Sequence, residues 1–177
     1  MPAPVPIWLS ALGPRALRLA GEVADGVLLN WCPPERVAQA RAAVSEGAAA
    51  AGRDPSSVRV VVYVRASLGE DHEAADLALR EAAGQYASYP AYARQFAVVG
   101  LEDETGAAAR AHAEGRPRDV PEALLRAVTL PRDPAAAAAR LQEYRDAGAD
   151  LPVVYPVVAG EDVEASLTAT IRALAPV

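Results

Sequence analysis

Apolar and polar positions follow one repeating pattern along the chain. A short apolar run is followed by a break at Gly or Pro, then by apolar residues at helical spacing. Residues 6–31, PIWLSALGPRALRLAGEVADGVLLNW, hold one full period. Pro6 to Ser10 reads as a strand. It breaks at Ala11-Leu12-Gly13, and Pro14 suits the first position of a helix. Leu17, Ala20 and Ala24 then recur at helical spacing. Asp25-Gly26 ends that helix, with Gly26 expected to supply a positive φ at its C-terminus. Val27-Leu28-Leu29 is a continuous apolar run, the pattern of a parallel strand covered on both faces.

The same alternation continues downstream. Pro33-Pro34-Glu35 opens a helix that runs to about Ala51 and stops at Gly52-Arg53-Asp54-Pro55. Val58 to Leu68 is the longest β-branched stretch and predicts a third strand. Gly69-Glu70-Asp71 turns into a helix over Glu73 to Tyr86. From Tyr89 to Thr129 the pattern predicts only helices, over 91–99, 105–112 and 121–128, which makes this segment a helical insertion or an extended crossover. Asp133-Pro134 then offers an N-cap followed by Pro at the first helical position. Ala135 to Ala147 is the next helix and Gly148 its expected C′ residue. Leu151 to Val158 is the fourth strand, and Asp162 can cap a last helix that ends near Ala173. Strands spaced by helical crossovers mean a parallel sheet with right-handed connections, in a single α/β domain over 1–177.

Composition narrows the function classes. The chain has 177 residues, 52% hydrophobic and 23% charged, an ordinary globular balance. Its net charge is −6 without a basic stripe, which argues against nucleic acid as a partner. No apolar run is long enough to span a membrane, and MPAPVPIW lacks a basic region ahead of an apolar core, so the expected location is cytoplasmic. Every cationic side chain is Arg, which removes Schiff-base chemistry and P-loop lysines. The single cysteine, Cys32, excludes an internal disulfide, and no His pairing has metal-ligand spacing.

The candidate chemistry lies where strands end and helices begin, the edge at which parallel α/β folds place their sites. Ser10-Ala11-Leu12-Gly13 feeds a helix N-terminus whose free N–H groups can bind phosphate. Gly13 would admit a ligand to the backbone and Arg15 would add charge; equally, Gly13 could serve a tight turn and Arg15 be a solvated residue. Asn30 offers a donor and an acceptor on the same edge. Trp31 can stack on a ring or cover the strand ends, and Cys32 reads as a buried inert thiol. Asp25 is expected to fix the helix-to-strand turn rather than to transfer protons. His72 and His112 read as solvated, as do Arg140 and Arg145 on the exposed face of their helix. Tyr86, Tyr89, Tyr92 and Phe96, at spacings of 3, 3 and 4, form a helical aromatic stripe suited to core or interface.

The segment PIWLSALGPRALRLAGEVADGVLLNWCPPE resembles the second half of the luciferase-like flavin-dependent oxidoreductases. The deazaflavin-dependent branch that includes the methylenetetrahydromethanopterin reductases is the most similar part of that family. YRDAGADLPVVYPV resembles the family's last barrel strand. The resemblance implies a TIM-barrel-like fold that binds FMN or coenzyme F420 (a deazaflavin) at the C-terminal mouth. It implies hydride transfer, or in some members oxygenation, of a small-molecule substrate. Ser10, Ala11, Leu12, Gly13, Arg15 and Ala16 match the loop that contacts the cofactor's phosphate-bearing tail, and Asn30 matches a position that faces substrate.

Family members run to about twice this length. Their first half supplies the initial four βα units, the catalytic His or acidic groups, and a non-proline cis peptide. The expectation is therefore a partial barrel, the last four of eight strands, from a truncated or split form. No residue here is assigned a catalytic role, and the isolated chain is not expected to turn over substrate. The alternative is a non-catalytic half-barrel that forms a homodimer or pairs with a complementing, paralogous half-barrel, since four strands alone leave two sheet edges and an apolar face bare.

Overall fold

A computed structural model describes residues 5–68 and 71–175. Strands β1 (Trp8–Ser10), β2 (Gly26–Asn30), β3 (Arg59–Ala66) and β4 (Leu151–Pro156) form one parallel sheet in the order β1-β2-β3-β4. Helices α1 (Pro14–Val23) and α2 (Pro34–Ala50) follow β1 and β2. Between β3 and β4 run α3 (His72–Ala87), α4 (Pro90–Ala97), α5 (Glu102–Ala113), α6 (Glu122–Val128) and α7 (Pro134–Asp146); α8 (Val163–Leu174) comes last. No strand falls within 89–129, as the helical pattern there predicts, apart from an isolated bridge at Thr129 to Arg65.

Sequential strand order has a consequence for the layers. Each right-handed crossover advances in the same direction, so the helices gather on one face of the sheet. This is an arc of a singly wound barrel, unlike the doubly wound folds whose strand order reverses. Alternation along β3 shows the result. Val60, Val62, Val64 and Ala66 are buried in the main core with Val27, Leu29, Val37 and Val44. Val61, Tyr63 and Arg65 point the other way. On that inner face Trp8 is 46% exposed, Leu151 50% and Tyr155 48%. Val61 and Arg65 on the same face are buried, and in β2, which reads as covered on both faces, inner-face Leu28 is half-buried, so these bare positions lie on the edge strands.

Backbone approach between α1 and α2 is close. A Cβ on Gly47 would sit 2.0 Å from the Arg18 carbonyl oxygen, and one on Gly21 would sit 2.0 Å from that of Val44. Arg53 closes the end of α1 by donating to the Gly21 and Ala24 carbonyls at 2.6 and 2.8 Å. Gly26 does not supply a positive φ, contrary to expectation: α1 ends in extended backbone at Ala24, and Gly26 lies inside β2. Its missing side chain makes room for the Trp8 ring, which a Cβ would meet at 2.4 Å. Asp25 ties β1 to that turn, accepting from the Ile7 N–H at 2.7 Å, as expected.

Asp133 and Asp162 cap α7 and α8 through the N–H groups of Ala136 and Ala165, and Gly148 has φ +100° after α7. Arg140 departs from the exposed position expected of it. It is half-buried against the Tyr144 ring and donates to the Ala127 carbonyl at 3.0 Å, tying α7 to α6. At the opposite end of the sheet from the candidate site, Asp150 accepts from the Val60 N–H at 2.6 Å and pairs with Arg41. Arg41 also donates to the Val58 and Gly148 carbonyls, both at 2.9 Å, which locks β3 to β4 in register. The insertion α3–α6 builds a second core around Leu79, Phe96, Ala108 and Leu124, and Trp31 belongs to this core. Gly69 and Glu70, expected to turn into α3, lie outside the described residues, as do Met1 to Pro4.

Candidate functional site

The C-terminal ends of β1 and β2 bring the sequence-predicted residues to one edge of the sheet. Ser10 ends β1 on the inner face and is exposed. Ala11 points into the main core at 3% exposure, and its N–H donates weakly to the Leu28 carbonyl at 3.4 Å. A ligand can therefore meet only the backbone of Ala11. Leu12 is half-buried, while Gly13, Arg15 and Ala16 are exposed.

Gly13 is the N-cap of α1, with φ −86° and ψ 156°. Any residue can adopt that extended backbone, so conformation does not call for glycine. No atom lies within 4 Å of where its Cβ would be. The tight-turn explanation therefore loses its basis, and what glycine leaves is open space beside the helix end. No side chain caps α1, and its first turn holds no acidic residue. Pro14 has no N–H to offer, and the Leu17 N–H already reaches the Gly13 carbonyl at 3.0 Å. The N–H groups of Arg15 and Ala16 are the ones the helix leaves over.

The loop is held from behind by a residue that sequence reasoning missed. Arg36, on α2 and 7% exposed, donates from Nη2 to the Leu12 carbonyl at 2.6 Å. One carbonyl is thereby fixed, and the peptide plane that orients the Gly13 N–H is fixed with it. The signal was present in sequence as a lone Arg among the buried positions of an Ala-rich helix.

Asn30, at the end of β2, is half-buried and donates from Nδ2 to the Tyr92 hydroxyl at 2.8 Å. Gln95 Nε2 bridges the carbonyls of Asn30 and Trp31 at 3.1 and 2.6 Å. Trp31 is fully buried with φ +50°, a left-handed conformation unusual for a bulky residue and common at functional loops. The aromatic stripe packs here: the Tyr86 centroid is 5.0 Å from that of Trp31 and 4.8 Å from that of Tyr92. Burial pushes the Tyr92 hydroxyl above its ordinary value, and the bond from Asn30 opposes that shift.

Arg65, at the end of β3, was also missed. It faces the same aromatic group, with its guanidinium carbon 4.0 Å from the Tyr155 centroid and 5.1 Å from that of Trp31. Period-2 alternation within Val58 to Leu68 was the available signal, because it places Arg65 on the face opposite Val64.

Cys32 is 2% exposed, and burial pushes its thiol up to about 12. A thiol that stays protonated at neutral pH is a poor nucleophile. In the folded chain, labelling of Cys32 by a maleimide at pH 8 should be at least about a hundredfold slower than in urea, measured by intact-mass kinetics. His72 is exposed, as expected, and His112 is half-buried along α5. Among the described residues no group of three His, Cys, Asp or Glu could hold a metal ion, and no helix is long and apolar enough to cross a membrane.

Comparison with known proteins agrees with this architecture. The chain is 46% identical over 67 residues to 5,10-methylenetetrahydromethanopterin reductase of Methanolobus tindarius, covering 38% of this chain and 21% of that protein. It is 28% identical over 187 aligned residues to the phthiodiolone/phenolphthiodiolone dimycocerosates ketoreductase of Mycobacterium tuberculosis, covering 96% of this chain and 47% of that protein. Among solved structures, the coenzyme F420-dependent tetrahydromethanopterin reductase of Methanopyrus kandleri superposes with TM-score 0.73 at 25% identity, over 93% of this chain and 48% of that one. An F420-dependent secondary alcohol dehydrogenase in complex with an F420-acetone adduct shares the fold, with TM-score 0.66 at 19% identity, over 98% of this chain and 50% of that one. The chain thus spans no more than about half the length of these relatives. The family model for luciferase-like monooxygenases matches residues 1–151, and the chain belongs to that family of oxidoreductases.

Proposed function

We propose that this chain supplies the cofactor-tail and substrate side of a coenzyme F420-dependent oxidoreductase acting on a small molecule. The observation that carries the reading is the open space at Gly13. An extended glycine with nothing within 4 Å of its Cβ position stands beside two free N–H groups and a first turn without acidic residues. That arrangement suits a phosphate. F420 is favoured over FMN because both solved relatives above are described as F420-dependent.

Arg15 and Ala16 would hold the phosphate through their N–H groups, with Leu12 and Ser10 beside it and Arg15 adding charge. Ala11 would contribute backbone only. The bound deazaflavin supplies a hydride-accepting and hydride-donating ring. Asn30 stands on the strand next to β1, where its amide can orient a substrate oxygen or nitrogen. Arg36 positions the loop through the Leu12 carbonyl and touches no ligand itself.

The reading also calls for a complement. Among the described residues β1 and β4 each leave an edge unpaired, and the inner face presents Trp8, Leu151 and Tyr155 to water. The helical layer shows the same need: Leu19 and Val23 on α1 and Val163 and Ile171 on α8 are each 48–60% exposed. Four further βα units would cover both edges, the inner face and the two outer helices together. A second copy of the chain is the other possible cover, and light scattering behind a sizing column separates the two. A dimer that buries Trp8 favours the second copy, and a dispersed monomer argues against it.

Gly13→Asp tests the loop. Asp is a strong N-cap and should raise the melting temperature slightly, because it caps an end that now has no side-chain cap. The same carboxylate would fill the open space and repel phosphate. Calorimetry with F420 should show binding to the unmodified chain and at least about a tenfold loss in Gly13→Asp. Equal affinity in both would remove the loop from the cofactor site.

A further inference from the structure

Several polar atoms at the C-terminal ends of β2 and β3 are buried without a hydrogen-bond partner among the described residues. Arg65 is 6% exposed and forms no ion pair with any described residue. Its Nη1 is buried without a hydrogen-bond partner. Two more donors just past the ends of β2 and β3, Trp31 Nε1 and Ser67 Oγ, are buried and unpartnered too. The side-chain oxygen Oδ1 of Asn30 is the one unpartnered acceptor beside them. A buried cation without a counter-ion is costly, and buried donors are normally satisfied. Desolvation accordingly holds the Arg65 guanidinium below its ordinary value, opposed by the hydroxyls of Tyr86, Tyr155 and Tyr92.

Register puts the group within two residues along the inner face. Arg65 is directly opposite Tyr155 on β4, and Asn30 is opposite Tyr63, two residues earlier on β3. The Arg65 guanidinium carbon lies over the Tyr155 ring, 4.0 Å from its centroid. With Nη1 unpartnered, the guanidinium keeps N–H groups for a ligand, and its fork matches a carboxylate with two parallel N–H···O bonds. Inorganic phosphate could take the same paired bonds, but the half-exposed Tyr155 ring beside them offers apolar contact only to an anion that carries a carbon skeleton. β3 lies two strands from β1, roughly 10 Å from the Gly13 loop.

We infer that Arg65, flanked by Tyr155 and Trp31, is a binding site for the carboxylate of a small-molecule ligand, with the Asn30 amide oxygen and Ser67 hydroxyl receiving a donor on that ligand. The site is separate from the Gly13 loop and does not rest on that loop's holding a cofactor.

Benzoate is the probe, titrated into the full chain without cofactor and followed by calorimetry and by emission of Trp31. Saturable binding is expected, weakened at least tenfold in Arg65→Gln and several-fold in Arg65→Lys, whose point charge cannot make the paired contact. Arg126→Gln, a like loss of charge on the exposed face of α6, should leave it unchanged. Inorganic phosphate should bind at least tenfold more weakly than benzoate. Arginine Nε–H resonances of the unmodified chain provide a readout that no variant's folding can compromise, since benzoate should shift one of them at saturation. Absence of benzoate binding, equal affinity in Arg65→Gln, or phosphate binding as tightly as benzoate would each overturn the assignment. Loss of F420 binding with benzoate binding retained would count against the cofactor reading alone.

Discussion

Gly47→Ala should destabilise the chain by at least about 3 kcal/mol, although alanine is the better helix former by about 1 kcal/mol. Gly47 lies inside α2, where its intrinsic effect on the helix is unfavourable. Its presence is explained by the neighbour: a Cβ there would sit 2.0 Å from the Arg18 carbonyl oxygen and 2.7 Å from the carbonyl carbon. The obstacle is backbone, so no rotamer change relieves it. α1 must move away from α2, and Gly21 would lose its own close approach to the Val44 carbonyl at the same time. That shift also pulls the Leu12 carbonyl off Arg36, which reaches it across the same pair of helices. Urea unfolding followed by circular dichroism measures the loss as a lower midpoint at unchanged slope. An unchanged midpoint would mean that the helices separate freely. Domain stabilities are commonly 5–15 kcal/mol, so a loss of this size in a chain with a bare sheet face is a large fraction of the whole.

The parts of the fold legible in sequence are those written in short range. Asp133 and Asp162 announce helix starts because a side-chain cap acts within three residues. Gly148 announces a helix end because its positive φ is a local demand. Val58 to Leu68 announces a strand through β-branching alone. Long-range demands were misread or missed. Gly26 looked like a helix cap, yet what excludes a side chain there is Trp8 on the neighbouring strand. Gly21 and Gly47 carry no local signature, since each is required by a helix distant in sequence. Arg140 looked solvated because the Ala127 carbonyl it reaches belongs to another helix.

The candidate site divides in the same way. The Gly13 loop was visible because strand, break and helix follow one another directly. Arg36 and Arg65 were not, because each acts on residues brought to it by folding. Arg65 also sits within a β-branched run whose reading as a strand says nothing of which face is open. Its parity with Tyr63 was readable, but its meaning depends on the inner face being open, which follows from the sequential strand order.

Trp31→Ala should cost about 3–5 kcal/mol, the range for truncating a fully buried large aromatic side chain. Trp31 is where the helical insertion meets the sheet. It leaves β2 in a left-handed conformation, packs on Tyr86 of α3, and lends its carbonyl to Gln95 of α4 at 2.6 Å. Its removal opens a cavity in the second core while the Val-rich core behind the sheet keeps its own contacts. The loss should therefore be local: hydrogen-exchange protection should fall across 72–128 and persist in α1, α2 and β3. Alanine also leaves the φ of +50° unrelieved, so Trp31→Gly should lose the same packing with less backbone strain. Emission gives a second readout, because the remaining tryptophan, Trp8, is 46% exposed and should emit as a solvated indole. Uniform loss of protection would mean that the two cores unfold as one unit. A local loss would mean that Trp31 pins the insertion over the strand ends, and the aromatic wall around Arg65 would loosen with it.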